Sequence, residues 1–167
     1  MENKKLLEEI RSYWNNRADG YSRVNQEELH SEQKEKWKEV LLEQLPKKEK
    51  DQVQILDIGT GPGFFAILLA EEGYQVTAVD YTEQMLQEAK SNAADLADQI
   101  SFKRMDAQNL EFPKETFDYI VTRNVTWNLE HPKRAYREWQ RVLKPGGKIL
   151  NFDANWYAYL YDDKLKL

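Results

Sequence analysis

The chain has no cysteine, few histidines and no long apolar run, and each of these absences excludes a class of function. Without cysteine it can form no disulfide, no thiolate metal site and no cysteine nucleophile, and such usage is typical of a cytoplasmic protein. His30 and His131 are too few for a histidine metal cluster, so we expect no bound metal. No segment approaches the roughly 18 apolar residues of a membrane-spanning helix, which predicts no membrane partner.

The balance of charge is acidic. The 167 residues carry a formal net charge of −5, which argues against a nucleic-acid partner. The first residues, MENKKLLEEIRSYW, lack the apolar core of a signal peptide, in agreement with a cytoplasmic location. This length suffices for a single domain with a buried core. We divide it into a helical cap (1–50), a core (51–153) and an aromatic-rich tail (154–167).

The segment Ile55–Asp80 contains the most informative pattern of the chain. An apolar run that ends at Ile58 is typical of a buried parallel strand, and glycines then follow at positions 59, 61 and 63. Phe64–Glu72 has the apolar spacing of a helix, and Gln75–Val79 that of a second strand. The pattern therefore predicts a strand, a glycine turn, a helix and a strand in direct succession.

Two features of this segment indicate a nucleoside site. Glycine lets the backbone approach a ligand closely, and the helix behind the turn offers free N–H groups. Asp80, at the end of the second strand, can accept two hydrogen bonds from a ribose diol. A dinucleotide fingerprint needs a third glycine where Phe64 stands, and Pro62 removes a backbone donor that a phosphate would use. We therefore expect an uncharged or zwitterionic nucleoside, with a nicotinamide dinucleotide as a less favoured alternative.

Strand and helix patterns alternate along the rest of the chain. We predict helices over Glu2–Arg17 and Gln26–Leu45, and further strands over Ile100–Met105, Phe117–Thr122 and Lys148–Phe152. A helix between the last two of these strands is followed by a Pro-Gly-Gly turn. This alternation predicts an α/β doubly wound, mostly parallel sheet of about five strands under two N-terminal helices.

The motif that begins at Asp57, D-I-G-T-G-P-G, resembles motif I of the class I S-adenosylmethionine (SAM)-dependent methyltransferases. The resemblance extends from Tyr13 to Asp153 and also rests on the segments M-D-A-Q-N-L, F-D-Y-I-V and L-K-P-G-G. It is closest to the small-molecule methyltransferases of the ubiquinone-biosynthesis type. It implies a Rossmann-like fold, SAM as the cofactor, and direct in-line methyl transfer without a metal or a covalent intermediate.

The resemblance also implies which residues bind SAM. Asp106 would accept a hydrogen bond from the adenine amine, and a backbone carbonyl of Arg123 or Asn124 would accept one from the SAM amine. An aromatic N-terminal segment would close over the cofactor or, alternatively, pack on the core. The implied cofactor-binding residues are Tyr13, Arg17, Tyr21, Asp57, Gly59, Thr60, Gly61, Gly63, Asp80, Tyr81, Met85, Asp106, Ala107, Gln108, Arg123 and Asn124.

The identity of the methyl acceptor is not encoded in a recognisable motif. Aromatic residues near the fourth and fifth strand ends favour a small molecule. The candidates for its pocket are Trp127, Asn128, Asp153 and Asn155. We interpret His131 as part of a helix N-terminal turn rather than a base, and Asp118 as a structural cap, so no catalytic residue is assigned. The alternative function is a SAM-binding sensor or inactive partner module without catalysis.

The last residues do not continue the expected fold. The resemblance to class I methyltransferases implies a sheet of seven strands. Asp153–Leu167, however, contains no pair of alternating apolar runs that would supply two more strands. We therefore expect a truncated or compact variant that lacks these strands. Its fifth strand would be an edge, and an unpaired edge favours a homodimer through that strand or through the tail.

Overall fold

A computed structural model describes residues 2–154, with side chains from residue 5 onward; residues 155–167 lie outside the described part. The helices are Glu2–Asn15 (α1), Ala18–Leu29 (α2), Gln33–Gln44 (α3), Phe64–Glu71 (α4), Glu83–Ala93 (α5) and Pro132–Val142 (α6). The strands are Gln54–Ile58 (β1), Gln75–Asp80 (β2), Ile100–Arg104 (β3), Phe117–Arg123 (β4) and Leu143–Phe152 (β5).

The strands form one parallel sheet in the order β3-β2-β1-β4-β5. The chain builds outward from β1 to β3 and then returns to the other side of β1. A crevice therefore opens between β1 and β4, at the carboxyl ends of the strands, where ligands collect in open α/β sheets. The predicted Rossmann-like, doubly wound fold is confirmed.

The core consists of two layers, one on each face of the sheet. In the first layer α4 is buried all round, from Phe64 to Ala70, as its almost wholly apolar sequence requires. The Tyr119 hydroxyl of β4 donates to the Leu41 carbonyl of α3 at 3.2 Å in the same layer. In the second layer Trp139 of α6 is fully buried against β1 and β4. Both faces of the central strands are therefore covered, which explains their continuous apolar runs.

Three helices precede β1, where the sequence predicted two. The predicted helix Gln26–Leu45 is divided because Ser31 interrupts it. The Ser31 hydroxyl donates to the Glu28 carbonyl at 2.9 Å and accepts from the Gln33 N–H at 3.2 Å. Such local side-chain hydrogen bonds compete with helix propagation. Only two residues separate α1 from α2, which begins at Ala18 and therefore includes residues 18–25, for which no helix was predicted.

The fifth strand begins at Leu143, earlier than the predicted Lys148, because the Pro-Gly-Gly segment is a bulge within the strand. Leu143 pairs with Phe117, and the next pair along the strand is Lys148 with Tyr119. A Cβ atom at Gly147 would lie 2.9 Å from the Asp118 carbonyl oxygen, so this close approach requires glycine.

Both outer strands of the described sheet are edges, since β5 pairs only with β4 and β3 only with β2 within residues 2–154. The predicted homodimer through β5 or the tail stays a prediction, and the tail itself lies outside the described residues. In the part of the chain that the structure describes, no helix is long and apolar enough to cross a bilayer.

Asp118 joins the N-terminal cap to the sheet at the amino end of β4, away from the crevice. Its carboxylate accepts from the Gln54 N–H at 3.0 Å, from Lys48 Nζ at 3.0 Å and from Lys144 Nζ at 2.9 Å. Burial acts to raise the pKa of Asp118, but the hydrogen bonds from Gln54, Lys144 and Lys48 outweigh it and lower the pKa to about 2. Asp118 therefore has the structural role that the sequence predicted.

We predict that Asp118→Asn lowers the free energy of unfolding at pH 7 by about 2 kcal/mol, because two lysine contacts lose their carboxylate. The folded pKa lies below the ordinary value, so the contribution is complete above about pH 4 and is lost as the pH falls toward 2. Urea unfolding at pH 7 and pH 3 measures both. An equal loss of unfolding free energy at the two pH values would contradict this account. The matched control is Asp95→Asn, because Asp95 is an exposed carboxylate.

Candidate functional site

A cavity of about 480 Å³ occupies the crevice at the carboxyl ends of β1, β2 and β4, beside the segment that follows β3. Helices α1 and α2 and the loop after β4 form most of its remaining wall, and most of its surface is apolar. Of the predicted cofactor-binding residues, those that line it are Tyr21, Asp57, Gly59, Thr60, Gly61, Asp80, Tyr81, Met85, Asp106, Ala107, Gln108, Arg123 and Asn124. Tyr13, Arg17 and Gly63 lie outside the lining.

The glycine turn between β1 and α4 has a left-handed backbone at each of its three glycines, with φ of 64°, 54° and 94°. A Cβ at Gly59 would overlap the Val125 side chain, and one at Gly63 would lie 3.1 Å from the Ala89 Cβ. At Gly61 a Cβ would meet no atom within 4 Å, because this residue faces the open cavity. Two glycines are thus required by packing, whereas Gly61 leaves room for a ligand.

Asp57, the last polar residue of β1, lies beneath this turn and is 2% exposed. The Thr60 hydroxyl donates to its Oδ2 at 2.7 Å. Burial raises the pKa of Asp57 to about 7; hydrogen bonds from Thr60 and the Ala66 N–H oppose the rise, and the Asp80 charge adds to it. A cation in the cavity would favour the ionised carboxylate, whereas a pyrophosphate would oppose it.

Asp80 ends β2 on the opposite side of the glycine turn. Its Oδ2 accepts from the Gly61 N–H and its Oδ1 from the Thr82 N–H, each at 2.9 Å. Burial raises the pKa of this carboxyl, and the backbone hydrogen bonds counteract it. The Thr82 hydroxyl and the Tyr81 N–H also donate to this carboxyl. An ionised carboxylate has about four lone-pair sites, so a ribose diol would share Asp80 with these donors.

The segment after β3 is held in place by α6. The Trp139 Nε1–H donates to the Ala107 carbonyl at 2.9 Å. The Asp106 carboxylate accepts from the Gln108 N–H at 2.8 Å, and the Gln108 side-chain carbonyl accepts from the His131 N–H. These contacts direct Asp106, Ala107 and Gln108 to the cavity while their backbone is anchored to the core.

The aromatic residues of the N-terminal segment divide between the cavity and its outer rim. Trp14 lines the cavity, and its ring contacts Tyr21 with 5.1 Å and Trp127 with 6.1 Å between centroids. Tyr13 is 46% exposed, and the Arg17 guanidinium lies 4.7 Å from its ring centroid. The structure thus places Tyr21 in the cavity and places Tyr13 and Arg17 at the rim.

The acceptor-pocket candidates are not all brought together. Asn128 lines the cavity, whereas Trp127 lies outside its lining and is 41% exposed. The Trp127 Nε1–H donates to the Asn124 carbonyl at 2.8 Å, so this carbonyl already accepts one hydrogen bond. Asp153 is exposed and accepts from the Asn151 amide. Asn155 lies outside the described residues.

The sequence reasoning missed most of the wall that the N-terminal helices supply. Its α1 members are Leu7, Ile10, Arg11 and Trp14, and its α2 members are Tyr21, Val24, Asn25 and Glu28. Both sets have the spacing i, i+3, i+4 and i+7, which places them on one helical face. That periodicity is readable from the sequence, but it predicts burial without distinguishing a core from a ligand cavity.

The sheet and the cavity at its carboxyl edge are those of a Rossmann-like, nucleoside-binding domain. The comparisons with known proteins agree with this class. A family model described as a methyltransferase domain matches residues 56–151. The chain belongs to this methyltransferase-domain family, and the predicted likeness to class I SAM-dependent methyltransferases is confirmed.

Two curated relatives are involved in quinone biosynthesis, according to their names. The ubiquinone biosynthesis O-methyltransferase of Coxiella burnetii is 31% identical over 109 residues, which are 64% of this chain and 47% of that protein. The ubiquinone/menaquinone biosynthesis C-methyltransferase UbiE of Rickettsia bellii is 30% identical over 149 residues, 84% of this chain and 58% of that protein. The chain thus spans about half the length of these relatives.

Three solved structures extend the comparison. A protein of Methanococcus maripaludis that was assigned as a SAM-dependent methyltransferase has a TM-score of 0.74 at 26% identity, over 84% of this chain and 64% of the other. A Haemonchus contortus phosphoethanolamine N-methyltransferase, solved with SAM, has a TM-score of 0.61 at 30% identity. The match covers 70% of this chain and 27% of that protein. The [4+2]-cyclase SpnF has a TM-score of 0.62 at 28% identity, over 68% and 42%.

SAM is the cofactor that the family and these structures support, as predicted. The residues present fit such a ligand. Gly61 leaves open space where a side chain would stand, and two buried carboxylates with raised pKa values suit a ligand that carries positive charge.

We predict that Asp57 makes the folded protein less stable as the pH rises. Its folded pKa, about 7, lies above the ordinary value, so its contribution is complete below about pH 4 and is lost toward pH 7. Asp57→Asn removes the ionisation. Between pH 5 and pH 8 the free energy of unfolding of the variant should therefore rise by on the order of 2 kcal/mol relative to that of the wild type. Urea unfolding at the two pH values measures this difference. If the difference in free energy of unfolding between variant and wild type were the same at both pH values, Asp57 would ionise normally.

Proposed function

We propose that this chain is a SAM-dependent methyltransferase that acts on a small-molecule acceptor by direct, in-line transfer. The observation that carries the proposal is the meeting of three strand-end elements in one cavity: the open face of Gly61, the carboxylate of Asp80, and the Asp106–Ala107 segment. The family match and the quinone-biosynthesis relatives support the same reaction class. The absence of cysteine favours a cytoplasmic location.

The residues of the cavity have distinct tasks in this proposal. Asp80 accepts from the ribose hydroxyls, and Asp106 with the Ala107 N–H recognises the adenine edge. The turn at Gly61 lets the backbone approach the ligand. When bound, SAM supplies an activated methyl group on its sulfonium. The protein then mainly aligns donor and acceptor, and such alignment supplies roughly 7–11 kcal/mol in favourable intramolecular reactions.

The acceptor would lie toward β4, because the nucleoside elements occupy the carboxyl ends of β1, β2 and β3. The lining residues on that side are Asn128, Leu129 and Glu130 from the loop after β4, together with Trp14 of α1, whose ring contacts Trp127 of the same loop. These residues combine apolar surface with an amide and a carboxylate as polar groups. A small molecule with an apolar body and one polar group fits it.

The second candidate is a SAM-binding module that does not transfer methyl groups. It is favoured by one observation, namely that a neighbour with this fold is named a [4+2]-cyclase. A fold therefore does not fix the reaction. Incubation with labelled SAM and a panel of small hydroxylated and amine metabolites separates the candidates. Label transfer to an acceptor supports the enzyme, and tight SAM binding without transfer to any acceptor supports the binding module.

We predict that Asp80→Asn weakens SAM binding by about 1.5–3 kcal/mol, because a charge-assisted acceptor for the ribose is lost. The asparagine keeps one oxygen for the Gly61 N–H, which limits damage to the turn. Isothermal titration calorimetry with SAM measures the change, and Glu83→Gln, an exposed carboxylate at the start of α5, is the control. Unchanged affinity in the Asp80 variant would refute the assignment.

We also predict that SAM slows amide exchange in Tyr13–Tyr21, which joins α1 to α2. Among residues 5–154, no side-chain hydrogen bond or ion pair joins α1 to the core, and its cavity face is held mainly by apolar contacts. A ligand that fills the cavity would therefore order this segment as a lid. Exchange mass spectrometry with and without SAM tests it. Full protection before SAM is added would disprove the lid.

A further inference from the structure

The side chain of Arg123 is committed to protein contacts, although Arg123 lines the cofactor cavity. Its guanidinium donates to both carboxylate oxygens of Glu28, through Nη1 and Nη2, each at 2.9 Å. The same guanidinium lies over three rings, with distances to the centroids of 4.7 Å for Trp37, 5.3 Å for Phe64 and 5.9 Å for Phe65. Two of its five N–H donors and its positive charge thus face groups of the protein itself.

The pair connects three parts of the fold at one point. Arg123 ends β4, Glu28 lies in the last turn of α2, and the Trp37 Nε1–H of α3 donates to the same Glu28 carboxylate at 3.2 Å. The side chains of Arg123 and Glu28 are 30% and 14% exposed. A bidentate, partly buried and stacked pair is far more directional than an ordinary surface ion pair.

Helix α2 has a second attachment near its middle. The Asn25 amide donates to the Pro62 carbonyl of the glycine turn at 3.4 Å, and the Asn92 amide donates to the same carbonyl at 3.0 Å. The Gln26 amide in turn donates to Asn92 at 2.8 Å. Helix α2 is therefore fastened to the glycine turn at one point and to β4 at the other, whereas α1 lacks such polar attachments within residues 5–154.

From this arrangement we infer that Glu28 and Arg123 are positioning residues that hold α2 as the fixed wall of the cofactor cavity. The inference rests on the proposed function for its ligand. Tyr21, Val24 and Asn25 line the cavity from the same face of α2 as Glu28. Release of the Glu28 end would let this face move away from the cofactor. Glu28 and Arg123 both line the cavity, but their charges are paired with each other. The pair thus sets the affinity for SAM through the position of α2.

A double-mutant cycle on SAM affinity tests the inference. The variants are Glu28→Gln, Arg123→Gln and both together, with calorimetry as the readout. If the residues act only through each other, each single variant weakens SAM binding by about tenfold, and the double variant is no weaker than either. If Arg123 binds SAM directly, Arg123→Gln is more severe than Glu28→Gln and the losses multiply, which would overturn the inference.

The matched control is Lys34→Gln. Lys34 of α3 forms an ion pair with Glu71 of α4 at 2.8 Å, with side-chain exposures of 22% and 29%, and neither residue lines the cavity. This variant also removes an ion pair between the N-terminal helices and the core, so it reports any general loss of stability. It should leave the SAM affinity within a factor of about two. Should Arg123→Gln fail to fold, Arg123→Lys keeps the charge but loses the bidentate geometry.

Amide exchange of the ligand-free protein provides a readout that is independent of SAM. Glu28→Gln and Arg123→Gln should accelerate exchange in Tyr21–Leu29 by about tenfold and leave α6 unchanged. Unchanged exchange in α2 would overturn the inference, whatever the affinities. If the wild type does not bind SAM, the proposed function fails, and this exchange experiment still decides whether the pair holds α2.

Discussion

The hydrogen bond from the Gly61 N–H to the Asp80 carboxylate is the contact on which the cavity depends. It joins the turn after β1 to the end of β2 at 2.9 Å. The left-handed backbone of the turn presents the N–H in this direction, and only glycine adopts such a backbone without strain. Thr60 forms a second connection through its hydroxyl to Asp57. The turn, two strand ends and the start of α4 are thereby held as one unit.

The same unit explains why the site tolerates two buried carboxylates so close together. Each of them accepts hydrogen bonds from the turn, which offset part of the cost of burial. The pKa values of both groups nevertheless stay raised. A positively charged ligand nearby would therefore stabilise their ionised forms. A sulfonium nucleoside carries positive charge and a pyrophosphate does not; the glycine spacing likewise counted against a pyrophosphate.

Local patterns predicted the sheet and the glycine turn correctly because the information lies within short stretches of sequence. The strands β1 to β4 agree with prediction to within about a residue or two, and the residues at their ends do face one cavity. The division of the N-terminal helices was missed because one hydroxyl, that of Ser31, outweighs the helical periodicity around it. The role of the Arg123 side chain was missed because its partner, Glu28, is 95 positions away.

The wall formed by α2 implies an order of events during synthesis of the chain. Helix α2 leaves the ribosome before any strand, yet its two attachments involve the glycine turn with α5 and the last residue of β4. Apart from Trp37 of α3, which donates to Glu28, these partners are not present until most of the sheet has been made. Contacts so distant in sequence carry a large loop-closure cost and form late. Helix α2 is thus made before the strands but settles after them, and the cavity forms only when the sheet is complete through β4.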